Sequence, residues 1–144
     1  MPIKIAINGF GRIGRPTLKI ILDKHPSLDV VAINDLTDTK ALAHLLKYDS
    51  SYGVYNREII STKDSLIIDG REIKVIAEKD PEKLPWQDLG VNVVIESSGV
   101  FTEYEGAKKH LTAGAKKVII SSPSKSVEIP TFVLGVNEKK YDSQ

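Results

Sequence analysis

The sequence predicts a doubly wound α/β domain around a mostly parallel sheet, and three observations carry that prediction. Short apolar bursts alternate with amphipathic stretches, the pattern of successive βαβ units. Ile and Val supply 29 residues against 12 Leu, which favours buried strands over a helical bundle. A glycine-rich turn lies between the first burst and the first amphipathic stretch. With 144 residues the chain has the size of one ordinary domain, 1–144, and needs no disulfide or metal staple.

Ile3, Ile5 and Ile7 form the first predicted strand, and Asp29 to Ile33 the second. Between them a helix is expected over Ile13 to His25, with Ile13, Thr17, Ile20 and Ile21 on its inner face. Pro16 lies beyond the first helical position, so the spacing predicts a lost backbone bond and distorted opening turns. A second helix runs from about Thr39 to Lys47, with Asp38 as N-cap and Leu42, Leu45 and Leu46 facing inward. Ser65 to Ile76 holds Asp69-Gly70 between two strand-like runs, a hairpin signal. The hairpin is expected as an antiparallel excursion inserted midway between the two halves of the sheet. Asp80-Pro81 begins a short turn that ends near Pro85. Val91 to Glu96, Lys117 to Ser121 and Thr131 to Val136 give three further strands. A third helix over Glu103 to Ala113 is bracketed by a capping box, Thr102 to Glu105, and by Gly114 at its end.

Composition excludes several function classes. Lys and Arg number 20 and Asp and Glu 19, for a net charge of +1, so no electrostatic case exists for nucleic acid or an anionic membrane. The longest apolar run, Phe132 to Val136, is far short of the roughly 20 residues that cross a bilayer. No cysteine is present, which removes a thiolate nucleophile and any Cys-containing zinc site. His25, His44 and His110 are isolated, and none pairs at the spacing of a zinc helix, so no metal is expected. No signal peptide is visible, and a reducing cytoplasm is the expected compartment.

The chemistry concentrates in Gly9-Phe-Gly-Arg-Ile-Gly14, which follows a strand and opens a helix. Gly9 permits the tight turn, Gly11 admits a pyrophosphate to the backbone, and Gly14 allows close helix–strand packing. Free N–H groups around Arg12 and Ile13 would hold the phosphate charge at the helix terminus. Asp35 stands 21 positions after Gly14, just past the second strand, where a carboxylate accepts from ribose hydroxyls and repels a 2′-phosphate. That combination is the Rossmann-type fingerprint and selects NAD over NADP. Gly9 and Gly14 also have P-loop spacing, but Arg15-Pro16 replaces the Lys and hydroxyl that a P-loop requires. Ser121 to Ser124 follows a strand and is either a ligand contact or a plain polar turn.

Ala6 to Arg15 resembles the opening of the phosphorylating glyceraldehyde-3-phosphate dehydrogenases. The likeness continues through Ile33-Asn-Asp35, Leu46 to Gly53, Glu78 to Pro81, Glu96 to Phe101, Ala113 to Ser121 and Leu134 to Asn137. The resemblance implies that Arg12 and Ile13 meet the pyrophosphate and Asp35 the adenine ribose. It also implies a surrounding loop of Asn8, Gly9, Phe10 and Gly11, with Asn34 near the ribose edge and Lys79 near the adenine. Lys79 keeps the charge of the Arg often found there but loses its planar guanidinium. Ser98, where the family often has Thr, would lie with Gly99 and Phe101 along the cofactor, and Ser121 near the nicotinamide. Leu36 matches NAD-using members. The family's nucleophilic cysteine is expected shortly after Gln144, with its partner histidine further on. The chain therefore resembles the cofactor half of such an enzyme, with no catalytic residue of its own and the C-terminal catalytic half absent. The full-length family member is expected as a homotetramer. Two other readings share these residues: the cofactor half of an erythrose-4-phosphate dehydrogenase, and a stand-alone, non-catalytic NAD-binding module.

Overall fold

The computed structural model describes residues 1–143. Its first half contains strand β1 (Ile3–Asn8), helix α1 (Gly14–Lys24), β2 (Leu28–Asn34) and α2 (Thr39–Lys47). A small hairpin follows, β3 (Tyr48–Asp49) with β4 (Gly53–Val54), and then β5 (Ile59–Ser61), β6 (Ser65–Ile68) and β7 (Arg71–Ile76). The second half has α3 (Trp86–Leu89), β8 (Val93–Glu96), α4 (Tyr104–Thr112) and β9 (Lys117–Ile120).

Seven strands form one sheet in the order β5-β6-β7-β2-β1-β8-β9. The run from β7 to β9 is parallel throughout, and only β5–β6 and β6–β7 are antiparallel. The doubly wound class is therefore as predicted, but the antiparallel excursion lies at one sheet edge, not between the halves. It is central in sequence only: β7 returns parallel to β2 and leaves β5 and β6 outside it. Asp69 and Gly70 have φ of 49° and 80°, the two positive values that the type I′ turn joining β6 and β7 demands. β1 and β8 are neighbours at the centre, and the connections from them leave in opposite directions. That is a topological switch point, beyond which open α/β sheets bind ligands.

Alternation along the strands separates two cores. Ile5 and Ile7 pack with Leu18, Ile21, Leu42 and Leu46 of α1 and α2 on one face. Ala6, Ala32 and Val94 pack with Trp86, Ala113 and Ala115 on the other. The β1–β2 register jumps from Ile5–Val30 to Ala6–Ala32, and this bulge is why Val30 and Ile33 serve the same core.

Several local expectations are corrected. The inner face of α1 is Gly14, Leu18 and Ile21, while Ile13 and Ile20 are 53% and 50% exposed. Both phases are apolar, and the position of the sheet decides between them. Pro16 is the third residue of α1; Arg15 N and Thr17 N on either side donate to Gly11 O and Ile13 O at 3.1 Å, so proline forgoes the one rung between them, as its position predicts, while the helix continues. Asp38 caps α2 as predicted, its carboxylate accepting from Ala41 N at 3.0 Å, but Leu45 points outward. The capping box before α4 does not form. Ser126 Oγ instead accepts from Tyr104 N at 2.9 Å and donates to Glu103 Oε2 at 2.7 Å. Thr131 to Val136 forms no strand; it is exposed and closes into a turn through Val136 N to Val133 O. An apolar run becomes a strand only with a neighbour to pair with, and none of the described residues pairs with it.

Candidate dinucleotide site

The turn after β1 and the turn after β8 meet at the switch point. Gly9 has a φ of 89°, and a Cβ built on it would lie 2.4 Å from Ser98 Cα. Ser97 Oγ donates to Gly9 O at 2.7 Å and fixes the two turns together. A Cβ on Gly14 would lie 2.3 Å from Gly9 O and 3.1 Å from Ile7, so this glycine lets α1 seat against β1. Gly11 differs. A Cβ there would meet nothing within 4 Å, so its backbone faces open space. Among the described residues, no hydrogen bond uses the backbone N–H of Gly11, Arg12 or Ile13. Three free donors at the N-terminus of an 11-residue helix fit a diphosphate.

Asp35 closes the turn from the β2 side. Its Oδ2 accepts from Phe10 N at 2.8 Å and its Oδ1 from Thr37 N at 2.9 Å. Each oxygen keeps a lone pair for a hydroxyl donor. Arg12 leans on the β3–β4 hairpin, with Nη1 3.3 Å from Asp49 Oδ2 and Nη2 3.2 Å from Ser51 Oγ. Backbone donation from Ser51 and Tyr52, then Arg12, holds the Asp49 carboxyl below the usual carboxylate range. Ile13 and Lys79 are exposed, and Gly99 and Ser121 likewise. Ser121 N donates to Glu96 O at 3.0 Å, which keeps it beside the end of β8. Phe101 packs edge-on against His110, ring centroids 6.4 Å apart.

Beneath these loops runs a buried polar ladder that sequence reasoning did not find. Asn34, Asn8 and Glu96 end β2, β1 and β8 in register, Asn8 pairing with both neighbours. Asn34 Nδ2 donates to Asn8 Oδ1 at 2.7 Å, and Asn8 Nδ2 donates to Glu96 Oε2 at 2.6 Å. His110 Nε2 lies 2.7 Å from the same oxygen, and Trp86 Nε1 donates to His110 Nδ1 at 3.0 Å. An indole N–H can only donate, so Nδ1 carries no proton and Nε2–H donates to Glu96. The imidazole is neutral in this arrangement, and the His110–Glu96 contact is an ion–dipole hydrogen bond, not a pair of opposite charges. Burial raises the Glu96 carboxyl, but hydrogen bonds from His110, Ser98 and Asn8 outweigh it and hold the group below its ordinary range. The one sequence signal was an acidic residue ending an otherwise apolar strand.

Two surface depressions, about 370 Å³ beside Val31, Asp64, Glu72 and Lys74 and about 210 Å³ beside Ile21, Arg57 and Arg71, include none of these loops. Among the described residues, no group of three or more His, Asp or Glu could hold a metal ion, and no helix is long and apolar enough to cross a membrane.

A parallel sheet with a glycine turn, free helix-terminal donors and an acidic residue closing the next strand defines a dinucleotide-binding domain of the Rossmann type. Residues 3–104 match the family described as glyceraldehyde 3-phosphate dehydrogenase, NAD binding domain. The chain belongs to that family, whose cofactor is NAD. Glyceraldehyde-3-phosphate dehydrogenase of Thermotoga maritima is 61% identical over 136 residues, covering 94% of this chain and 40% of the relative. The enzyme of Geobacillus stearothermophilus is 55% identical over 142 residues, covering 99% of this chain and 42% of the relative. That of Clostridium acetobutylicum is 57% identical over 139 residues, covering 96% and 41%. The chain thus spans about two-fifths of the length of the curated relatives it matches.

Proposed function

We propose that residues 1–144 form the cofactor-binding half of a phosphorylating glyceraldehyde-3-phosphate dehydrogenase acting in a reducing cytoplasm. The observation that carries this reading is the open backbone at Gly11, with unbonded N–H groups through Ile13 at the start of α1. Gly11, Arg12 and Ile13 would hold the diphosphate of NAD, with Asn8, Gly9 and Phe10 forming the turn. Asp35 would accept from the adenine ribose, Asn34 would sit under its edge, and Lys79 would lie toward the adenine. Ser98, Gly99 and Phe101 would border the cofactor toward Ser121 on the nicotinamide side. NAD, when bound, supplies the hydride acceptor for aldehyde oxidation. The residues here bind and orient; bond making falls to a C-terminal half carrying the nucleophilic cysteine and its histidine. Val133, Leu134 and Val136, exposed by 53%, 89% and 78%, fit a surface which that half covers, within a homotetramer. The relatives' names favour glyceraldehyde 3-phosphate over erythrose 4-phosphate as substrate.

Charge at Asp35 tests the cofactor assignment. Asp35→Ala is expected to weaken NAD binding at least several-fold, because a charge-assisted hydrogen bond is worth about 1.5–3 kcal/mol. The variant also loosens Phe10 N, which harms NAD and NADP alike. The ratio of the two affinities therefore isolates the 2′-phosphate repulsion, and it should move toward NADP. Calorimetric titration of both cofactors checks it; an unchanged ratio would remove Asp35 from the ribose.

The isolated chain is expected to show no glyceraldehyde-3-phosphate dehydrogenase turnover. Covalent aldehyde chemistry needs an activated nucleophile. The chain has no cysteine, and among the described residues no histidine is hydrogen-bonded to Ser97, Ser98 or Ser121. Absorbance of reduced cofactor, followed with NAD, phosphate and aldehyde, is the assay. Turnover above background in a host-enzyme-free preparation would place chemistry within residues 1–144.

A further inference from the structure

We propose that the buried ladder Trp86–His110–Glu96–Asn8–Asn34 positions the three loops around the cofactor, with Glu96 as its charged centre and His110 as a positioning residue. The inference rests on the cofactor reading above. The ladder reaches each loop by a separate contact. Asn34 Oδ1 accepts from Glu78 N and its Nδ2 donates to Glu78 O, both at 2.9 Å, which fixes the backbone beside Lys79. Asn8 is the last residue before the Gly9 turn. Glu96 accepts from Ser98 N at 2.9 Å and from Ser98 Oγ, which holds the turn that packs against Gly9.

Donor chemistry gives the ladder one direction. Glu96 accepts four hydrogen bonds and donates none, so Asn8 must present its amide N–H there and its carbonyl to Asn34. Asn34 then has its oxygen left for Glu78 N. At the other end Trp86 Nε1–H fixes the imidazole tautomer that donates to Glu96. Asn8, Asn34, Glu96, His110 and Trp86 are all within 5% of full burial, so water cannot replace a missing partner. A change of hydrogen-bonding character at Glu96 or His110, without change of volume, should therefore displace the Ser98 and Gly9 turns.

Three substitutions separate this role from packing. Glu96→Gln keeps the shape but sets an amide N–H against donors, and is expected to weaken NAD binding at least tenfold. His110→Gln keeps one donor for Glu96 and one acceptor for Trp86, and should bind NAD within threefold of the unmodified chain. His110→Phe removes both and should lose at least tenfold. NAD titration calorimetry reads affinity, and circular dichroism reports folding of each variant. Nitrogen NMR of the unmodified chain should find the His110 proton on Nε2 at neutral pH; a proton on Nδ1 would overturn the ladder even if every variant failed to fold. Glu96→Gln and His110→Phe binding NAD like the unmodified chain would also overturn it, as would His110→Gln losing as much affinity as His110→Phe. Failure of the unmodified chain to bind NAD would instead defeat the cofactor reading, while the NMR result would still judge the ladder.

Discussion

Gly9→Ala is expected to abolish measurable NAD binding and to destabilise the fold, whereas Gly11→Ala should leave stability unchanged and weaken binding alone. The first residue holds a φ of 89°, and a side chain there costs about 1–3 kcal/mol in backbone strain. Its Cβ would also sit 2.4 Å from Ser98 Cα and 2.5 Å from Ser98 N, backbone atoms with no free end to swing away. Relief requires the turns after β1 and β8 to separate, which breaks the Ser97–Gly9 bond and opens the switch point. Gly11 has ordinary φ and an empty flank, so alanine fits the free protein and intrudes only where a phosphate would approach. Thermal unfolding and NAD titration of both variants separate the two roles. Gly9→Ala binding NAD as tightly as the unmodified chain would rule out this turn as the cradle.

Trp86→Ala should be the most damaging single truncation, costing about 3–5 kcal/mol as large core aromatics do. For a chain of this length that corresponds to a melting temperature lower by roughly 10–20 °C. Trp86 is fully buried and packs with Leu84, Val91, Ala113 and Ala115, so removing it leaves a cavity under α4. It also leaves His110 Nδ1 without its donor. Trp86→Phe keeps most of the packing and loses only that hydrogen bond, so about 1–3 kcal/mol is expected. Thermal denaturation of the pair apportions the effect. Equal losses for Phe and Ala would mean that the hydrogen bond, not the volume, holds this side of the sheet.

What the sequence determined by itself is the part of the site built from near neighbours. The strand, the glycine turn and α1 follow from residues within one short stretch, and Asp35 stands just past the end of β2 at the spacing the turn requires. The Asp69-Gly70 hairpin and the Asp38 cap were legible for the same reason, since backbone conformation and local hydrogen bonds decide them. Other features depended on what lies across the fold. Two apolar phases of α1 were available, and only the sheet beneath it selected Leu18 over Ile20. Phe132 to Val136 has the composition of a strand, but pairing, not composition, makes one. The ladder was hidden most completely. Asn8 and Glu96 lie 88 positions apart, Asn8 and Asn34 26, and Trp86 and His110 24. Asn8 and Asn34 were legible as neighbours of the cofactor, but nothing in the sequence joined them to Glu96, His110 or Trp86. Only the parallel pairing of β1 with β2 and β8, and the seating of α4 on β9, bring them within hydrogen-bond reach, because register is fixed by burial of the two cores rather than by any local signal.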